Sequence, residues 1–251
     1  MDSVKKQELE KIAAKIRIGA LTAVTSASSG HPGGSLSIAE ILAYLYFKEM
    51  NVDPKNPKAA DRDRLVLSKG HTAPALYAAL AERGFFPVDM TTGSLGLGFS
   101  AACGMALAGK LAGKDYRVWA ILGDGEVEEG QVWEAAMFAA HKKLSKLAIF
   151  VDYNGLQIDG PVAEVAGPAP IDAKFAAFGW NVLTIDGHDL DAIEKAAEAA
   201  KASDKPTAII CNTVKGKGVS FMENQVKWHG SAPTQEQYEQ AVAEITAAAG
   251  L

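Results

Sequence analysis

Two short turns in the middle of the chain carry the residues best suited to chemistry: Gly123-Asp124-Gly125 and Asp152-Tyr153-Asn154-Gly155. The first follows the apolar run 117–122, the second the apolar run 147–151. Between them, 131–144 is alanine-rich with apolar side chains at helical spacing. A strand, helix and strand in this order form a right-handed unit with both strands parallel, so both turns fall at the carboxyl edge of a sheet, where open α/β sheets bind ligands. Asp124 offers a carboxylate there and Asn154 an amide oxygen. With a free backbone carbonyl these suit a hard cation such as Mg²⁺ that also carries a phosphate. The glycines let a phosphate approach the backbone, and a helix starting after Gly125 would aim its N–H groups at it. Either turn alone is ordinary turn chemistry. The pair, at the ends of two strands joined by one helix, favours a metal–phosphate site.

Three of the five histidines, His31, His71 and His229, also sit in glycine turns between elements. An imidazole that titrates near neutrality suits proton exchange with hydroxyl groups. His141, beside Lys142 and Lys143, reads as part of a solvated helix face. His188, in Asp-Gly-His-Asp, reads as a turn or helix-cap residue. Glu126, Glu128 and Glu129 form an acidic run where a helix begins, a placement that the helix dipole favours.

The elements that must position these groups alternate along the chain. A first helix is predicted over 5–25, with Leu9, Ile12, Ile16 and Leu21 on its buried stripe. It should end in the turn 28–34, whose Pro-Gly-Gly a helix would not tolerate. A buried helix over 37–50, a polar loop over 51–63, a strand over 64–67 and a helix over 74–83 follow. The glycine-rich turn 91–98 opens a small-residue helix to 112. After the central unit come a loop over 161–170, a helix over 172–178, a strand over 180–185, a helix over 190–201, a strand over 207–213 and a closing helix over 234–248. The reading is an α/β fold with a mainly parallel sheet and helices on both faces, one domain over 1–251.

The 251 residues are 48% hydrophobic with a formal net charge of −5, which suits a sizeable core and argues against a nucleic-acid surface. Cys103 and Cys211 form neither a metal spacing nor a disulfide framework. With no secretory signal and no run of membrane-spanning length, a cytoplasmic location is expected.

Gly-Asp-Gly, a helix, and an apolar strand ending in Asn together resemble the thiamine diphosphate motif. The flanking segments narrow this. Ser29-Gly30-His31-Pro32-Gly33, Asp61-Arg62-Asp63-Arg64, Ser68-Lys69-Gly70-His71, Thr92-Gly93-Ser94-Leu95-Gly96 and Trp228-His229-Gly230 are similar to the N-terminal region of transketolases, in the same order. The resemblance covers nearly the whole chain and is specific as a set. It implies the thiamine diphosphate-binding fold, with Asp124, Asn154 and the Leu156 carbonyl as ligands of Mg²⁺, or of Ca²⁺ or Mn²⁺ in its place. It implies Gly125 as a diphosphate contact, Gly93, Ser94 and Leu95 against the cofactor, and His71 on the cofactor side. His31 and His229 would face substrate, with His229 also near the cofactor, and Lys215 would lie near the cofactor. Glu129 would stand at a subunit interface, linked to another chain's carboxylate.

In transketolases the carboxylate that activates the cofactor's aminopyrimidine, and the arginines that grip sugar phosphates, lie in later regions. The resemblance therefore implies the N-terminal subunit of a split transketolase, inactive alone and paired with a C-terminal subunit, as α₂β₂. That assembly would move a two-carbon unit between sugar phosphates. The junction at Pro87-Val88 is shorter than in transketolases, which carry there a Gly-His-Pro whose histidine faces the active site. The α-subunit of a 2-oxo acid dehydrogenase and a deoxyxylulose phosphate synthase share the Gly-Asp-Gly…Asn pattern without the full set of histidine turns. A non-catalytic cofactor-binding module is a third reading. A Mg²⁺ phosphohydrolase is disfavoured, because no Asp-x-Asp nucleophile and partnering acid is present.

Overall fold

The computed structural model describes all 251 residues. In chain order the helices and strands are α1 (Ser3–Ala27), α2 (Pro32–Leu36), α3 (Ala39–Tyr44), β1 (Arg64–Leu67), α4 (Ala73–Arg83), α5 (Leu97–Leu111), β2 (Val118–Gly123), α6 (Gly130–His141) and β3 (Leu147–Tyr153). There follow β4 (Leu156–Gln157), β5 (Gly160–Pro161), α7 (Val162–Val165), α8 (Ile171–Ala177), β6 (Asn181–Asp186), α9 (Leu190–Ala202), β7 (Thr207–Asn212) and α10 (Gln235–Ala249). Five strands form one parallel sheet in the order β1-β2-β3-β7-β6, and β4 and β5 form a small antiparallel hairpin.

Strand side chains alternate between two cores. Trp119, Ile121, Phe150 and Ile209 pack on one face against α1, α3, α4 and α9. Ala120, Leu122, Ile149, Val151 and Ile210 pack on the other against α5, α6 and α8. The central strands are buried on both faces, which is why their sequences read as unbroken apolar runs. A third cluster joins α1 and α10 to Val219, Met222 and Trp228. The α/β reading with helices on both faces holds, and the strand bounds agree with the sequence to within about a residue or two.

Four local expectations are corrected. Pro32-Gly33-Gly34 does not stay outside helical structure; it opens α2. Proline is compatible with a first helical turn. Gly33 is required there by close packing, since a Cβ would stand 2.7 Å from the carbonyl oxygen of Trp228. The helix expected over 37–50 divides into α3 and a π turn over Leu45–Glu49. The loop expected over 161–170 contains the end of the hairpin and α7. Gly125 is followed not by an α-helix but by a 3₁₀ turn over Glu126–Glu128, and α6 starts only at Gly130.

Candidate functional site

The sheet register brings the chemistry together. Gly123 pairs with Asp152, and Asp152 with Cys211, so the ends of β2, β3 and β7 lie side by side. Beyond them the backbone remains tied: Asp124 N–H donates to the Asp152 carbonyl at 3.2 Å, and Thr213 N–H to the Tyr153 carbonyl at 3.2 Å. Between these turns, the 69–71 and 93–95 turns and His229 lies a cavity of about 250 Å³. Of the residues expected at the site, His31, His71, Gly93, Leu95, Asp124, Gly125, Asn154, Leu156, Lys215 and His229 line it. Ser94 and Glu129 do not; both are exposed, and Glu129 forms the extended residue before α6 with no side-chain partner.

The expected cation donors are held by backbone. Asp124 accepts from Gly125 N–H at 2.9 Å and from Gly155 N–H at 2.5 Å. Asn154 Oδ1 accepts from Leu156 N–H at 3.1 Å, while its Nδ2 donates to Asp152 at 3.0 Å. The Leu156 carbonyl accepts from Lys215 Nζ at 3.1 Å. No group of three or more His, Cys, Asp or Glu side chains converges on a metal geometry. A cation here would be held by one carboxylate, one amide and one carbonyl oxygen, with the rest of its shell from ligand and water. That donor set fits a hard cation such as Mg²⁺. Burial, and then Asp152 nearby, raise the Asp124 carboxyl, a site that gains from a bound positive charge.

Beneath these donors lies a polar layer that the motifs did not single out. Lys69 and Asp152, 1% and 0% exposed, form an ion pair. Lys69 also donates to the Gly34 carbonyl at 3.1 Å. Asp152 further accepts from Ser37 Oγ at 2.7 Å and from Thr213 Oγ1. Glu126, read from sequence as one of a helix-dipole run, is buried instead. Its carboxylate accepts from Gly96 N–H at 2.8 Å, from Gly123 N–H at 3.0 Å and from Ser68 Oγ. It thus ties together three glycine turns far apart in sequence. Gln157, whose Nε2 donates to Glu128 at 2.7 Å, and Ile158 also line the cavity. Its place in Ser68-Lys69-Gly70-His71 was the one signal in the sequence for Lys69.

The three glycine-turn histidines converge. Ring centroids are 5.2 Å apart for His31–His71, 5.5 Å for His31–His229 and 5.2 Å for His71–His229. Burial and then Lys69 push His71 down to about 2; burial and then Lys215 push His229 down to about 4; both effects also lower His31. The cluster is therefore neutral at pH 7, able to accept as well as donate hydrogen bonds. His229 Nδ1 is buried without a partner, an orphaned polar atom that a ligand hydroxyl would satisfy. Lys215, 2% exposed, makes no ion pair within 4 Å, and burial followed by Lys69 lowers its ammonium. A buried lysine with a single carbonyl partner is suited to an anion. His141 is exposed, as expected, and no helix is long and apolar enough to cross a membrane.

Comparison with known proteins bears on this geometry. Residues 8–86 and 82–248 match the family described as "Transketolase, thiamine diphosphate binding domain". The 6-deoxy-6-sulfo-D-fructose transketolase subunit SqwG of Clostridium sp. (strain MSTE9) is 48% identical, over 95% of this chain and 96% of that protein. An apulose-4-phosphate transketolase subunit of Phocaeicola vulgatus is 38% identical, over 96% of this chain and 94% of that protein. Rat transketolase is 40% identical over 97% of this chain but only 43% of its own length. The crystal structure of transketolase from Campylobacter jejuni superposes with a TM-score of 0.87 at 32% identity, covering 100% of this chain and 43% of that one. The alignments to SqwG and the rat protein run to 264 and 269 positions, longer than the 251-residue chain. The family match divides at 82–86, beside the short junction at Pro87-Val88.

Proposed function

Because the chain belongs to the transketolase family, through its thiamine diphosphate-binding domain, we propose that it is the cofactor-holding subunit of a split transketolase. In this reading Asp124, Asn154 and the Leu156 carbonyl hold Mg²⁺, and Gly125 and Lys215 hold the diphosphate. Gly93, Leu95 and His71 flank the cofactor, with Ser94 on the rim. Bound thiamine diphosphate supplies the electron sink for breaking a carbon–carbon bond in a ketose. This chain's residues do the rest. His31 and His229, neutral at pH 7, bind sugar hydroxyls and exchange protons with them. Low exposure of Lys69, Asp124 and Lys215 strengthens every charge interaction in the cavity.

The observation that carries this reading is the meeting, in one cavity at the carboxyl edge of the sheet, of three oxygen donors, an unpaired lysine and three histidines. Its volume, about 250 Å³, lies below the range of pockets that enclose a whole drug-sized ligand, and suits one end of a cofactor. A second polypeptide, in an α₂β₂ assembly, completes the site, and Glu129 faces it. Two relatives that cover nearly all of this chain are named as transketolase subunits, one for 6-deoxy-6-sulfo-D-fructose and one for apulose-4-phosphate. The reaction proposed is accordingly two-carbon ketol transfer from a ketose to an aldose phosphate, in the cytoplasm. The test is to mix the chain with a candidate C-terminal subunit, Mg²⁺ and thiamine diphosphate, and assay that transfer. Activity is expected only in the mixture. Full turnover by the chain alone, or turnover of a 2-oxo acid with no ketose donor, would overturn the proposal.

A further inference from the structure

His188 stands outside the cavity, yet its ring joins the backbone beside Lys215 to a buried ion pair. Val214 N–H donates to His188 Nε2 at 2.9 Å. Because Nε2 must accept that bond, the ring proton lies on Nδ1, which donates to Glu40 Oε2 at 3.1 Å. The same carboxylate oxygen accepts from Arg17 Nη2 at 2.7 Å, and Arg17 Nε donates to the Leu36 carbonyl at 3.2 Å. Arg17, Glu40 and His188 line a cleft of about 660 Å³ between α1 and α10. Sequence placed His188 in a turn, which is correct, but its cap role belongs to Asp189, whose carboxylate accepts from Asp191 N–H.

Both ends of this relay reach the polar layer of the candidate site. At one end, Leu36 precedes Ser37, which donates to Asp152. At the other, Val214 lies between Thr213, which also donates to Asp152, and Lys215, which reaches the Leu156 carbonyl. Past the end of β7 no sheet neighbour accepts the Val214 N–H; the imidazole does. Gly187 lets the turn press against this segment, since a Cβ there would stand 2.5 Å from Thr213 Cγ2.

We propose that His188 is a positioning residue for Lys215: by accepting the Val214 N–H against the fixed Arg17–Glu40 pair, it sets the backbone from which the lysine reaches into the cavity. This rests on the reading of Lys215 as a diphosphate ligand. A long, flexible ammonium stem gains specificity only when its root is fixed, and a displaced root weakens a charge-assisted hydrogen bond.

Substitutions at 188 separate the two bonds. In His188→Gln the amide oxygen reaches the Nε2 position and accepts from Val214. In His188→Asn the side chain reaches only the Nδ1 position, keeping Glu40 and losing Val214. His188→Phe loses both. Binding of inorganic pyrophosphate with excess Mg²⁺ is measured by calorimetry on the full chain, with thermal midpoints recorded for each variant. Affinity is expected to fall about tenfold in His188→Asn and His188→Phe and to stay within about threefold of wild type in His188→Gln. In a Lys215→Met background, His188→Asn is expected to change affinity less than about twofold. Unchanged affinity in His188→Asn, or an equal loss with and without Lys215, overturns the proposal and leaves His188 a purely structural residue. Should His188→Phe not fold, the Asn and Gln pair decides. A wild-type chain that binds no pyrophosphate overturns the diphosphate reading itself, and this proposal with it.

Discussion

Replacing Lys69 by methionine removes one half of the ion pair beneath the candidate site while keeping most of the side-chain volume. Lys69 and Asp152 are almost wholly inaccessible. Removing one partner of a buried pair costs about 3–5 kcal/mol, because the remaining charge has no water to turn to. Asp152 would keep its bonds from Ser37, Thr213 and Asn154, which argues for the lower end, about 3 kcal/mol. The Gly34 carbonyl would lose the lysine donor as well. At about 2–4 °C per kcal/mol for a chain of this length, the thermal midpoint should fall by roughly 6–12 °C. The double variant Lys69→Met/Asp152→Asn removes the stranded charge and should recover part of the loss, giving a coupling energy above about 1 kcal/mol. Urea denaturation without added ligand, followed by circular dichroism, reads both quantities. A loss under about 1 kcal/mol in Lys69→Met, or a double variant as unstable as the sum of the singles, would refute the view that this pair carries its charges out of contact with solvent.

Other consequences follow from the same geometry. Burial opposes ionisation of Glu40, but Arg17 and His188 outweigh it and hold its carboxyl at about 2. A carboxyl lowered on folding stabilises above its unfolded value and loses that contribution as pH falls. The stability advantage of wild type over Glu40→Gln, roughly 3 kcal/mol at neutral pH, should therefore shrink from about pH 4.5 downward and be largely gone near pH 2; a constant gap in denaturation curves from pH 7 to 3 counts against it. Gly70→Ala would place a Cβ 2.2 Å from Thr92 Oγ1 and 2.3 Å from the Thr92 carbonyl, so a loss of at least about 2 kcal/mol is expected by urea denaturation, and near-wild-type stability is the contrary result. Asp124→Ala should abolish Mg²⁺-dependent binding of thiamine diphosphate, measured by calorimetry, and retained affinity removes the metal role. His229→Ala should leave that binding within a few-fold and slow turnover of the assembled enzyme about 10²-fold or more, whereas equal turnover takes His229 out of the mechanism.

What could be read in advance depended on whether a signal was local. β1, β2, α6 and β3 were legible because short apolar runs between glycine turns leave few alternatives. The site's outline was legible for the same reason, since Asp124, Asn154 and the three turn histidines interrupt that pattern with polar groups. The polar layer was not. Lys69 and Asp152 are 83 positions apart, and a lysine or an aspartate at a strand end looks like any solvated charge until the register is known. Glu126 was hidden by its neighbours, because three glutamates in four positions imitate a helix start. In the fold they diverge: Glu126 is buried, Glu128 meets Gln157, and Glu129 is exposed. Gly33 misled in the opposite sense, since its demand for glycine comes from the Trp228 carbonyl and not from a turn.

The distribution of satisfied and unsatisfied groups suits a holder for one end of a ligand. Around the inner part of the cavity each acidic group is matched: Asp152 by Lys69, Glu126 by two backbone N–H groups and a hydroxyl, Asp124 by two N–H groups. Spare capacity is concentrated in two other groups of the lining, the Lys215 ammonium and the orphaned His229 Nδ1. A rigid inner layer that keeps donors fixed before a ligand arrives is the arrangement electrostatic binding needs, because little reorganisation is then left to oppose it. On the outer rim the order is reversed. Glu129 and Ser94 are exposed, and Ile158, on the lip, is 61% exposed although apolar. Inner residues that are matched within the chain, and rim residues that are not, are what a site shared between two polypeptides requires. In that arrangement, loss of Lys69 or Glu126 should already be measurable in this chain by itself, and loss of Glu129 only in the assembled enzyme.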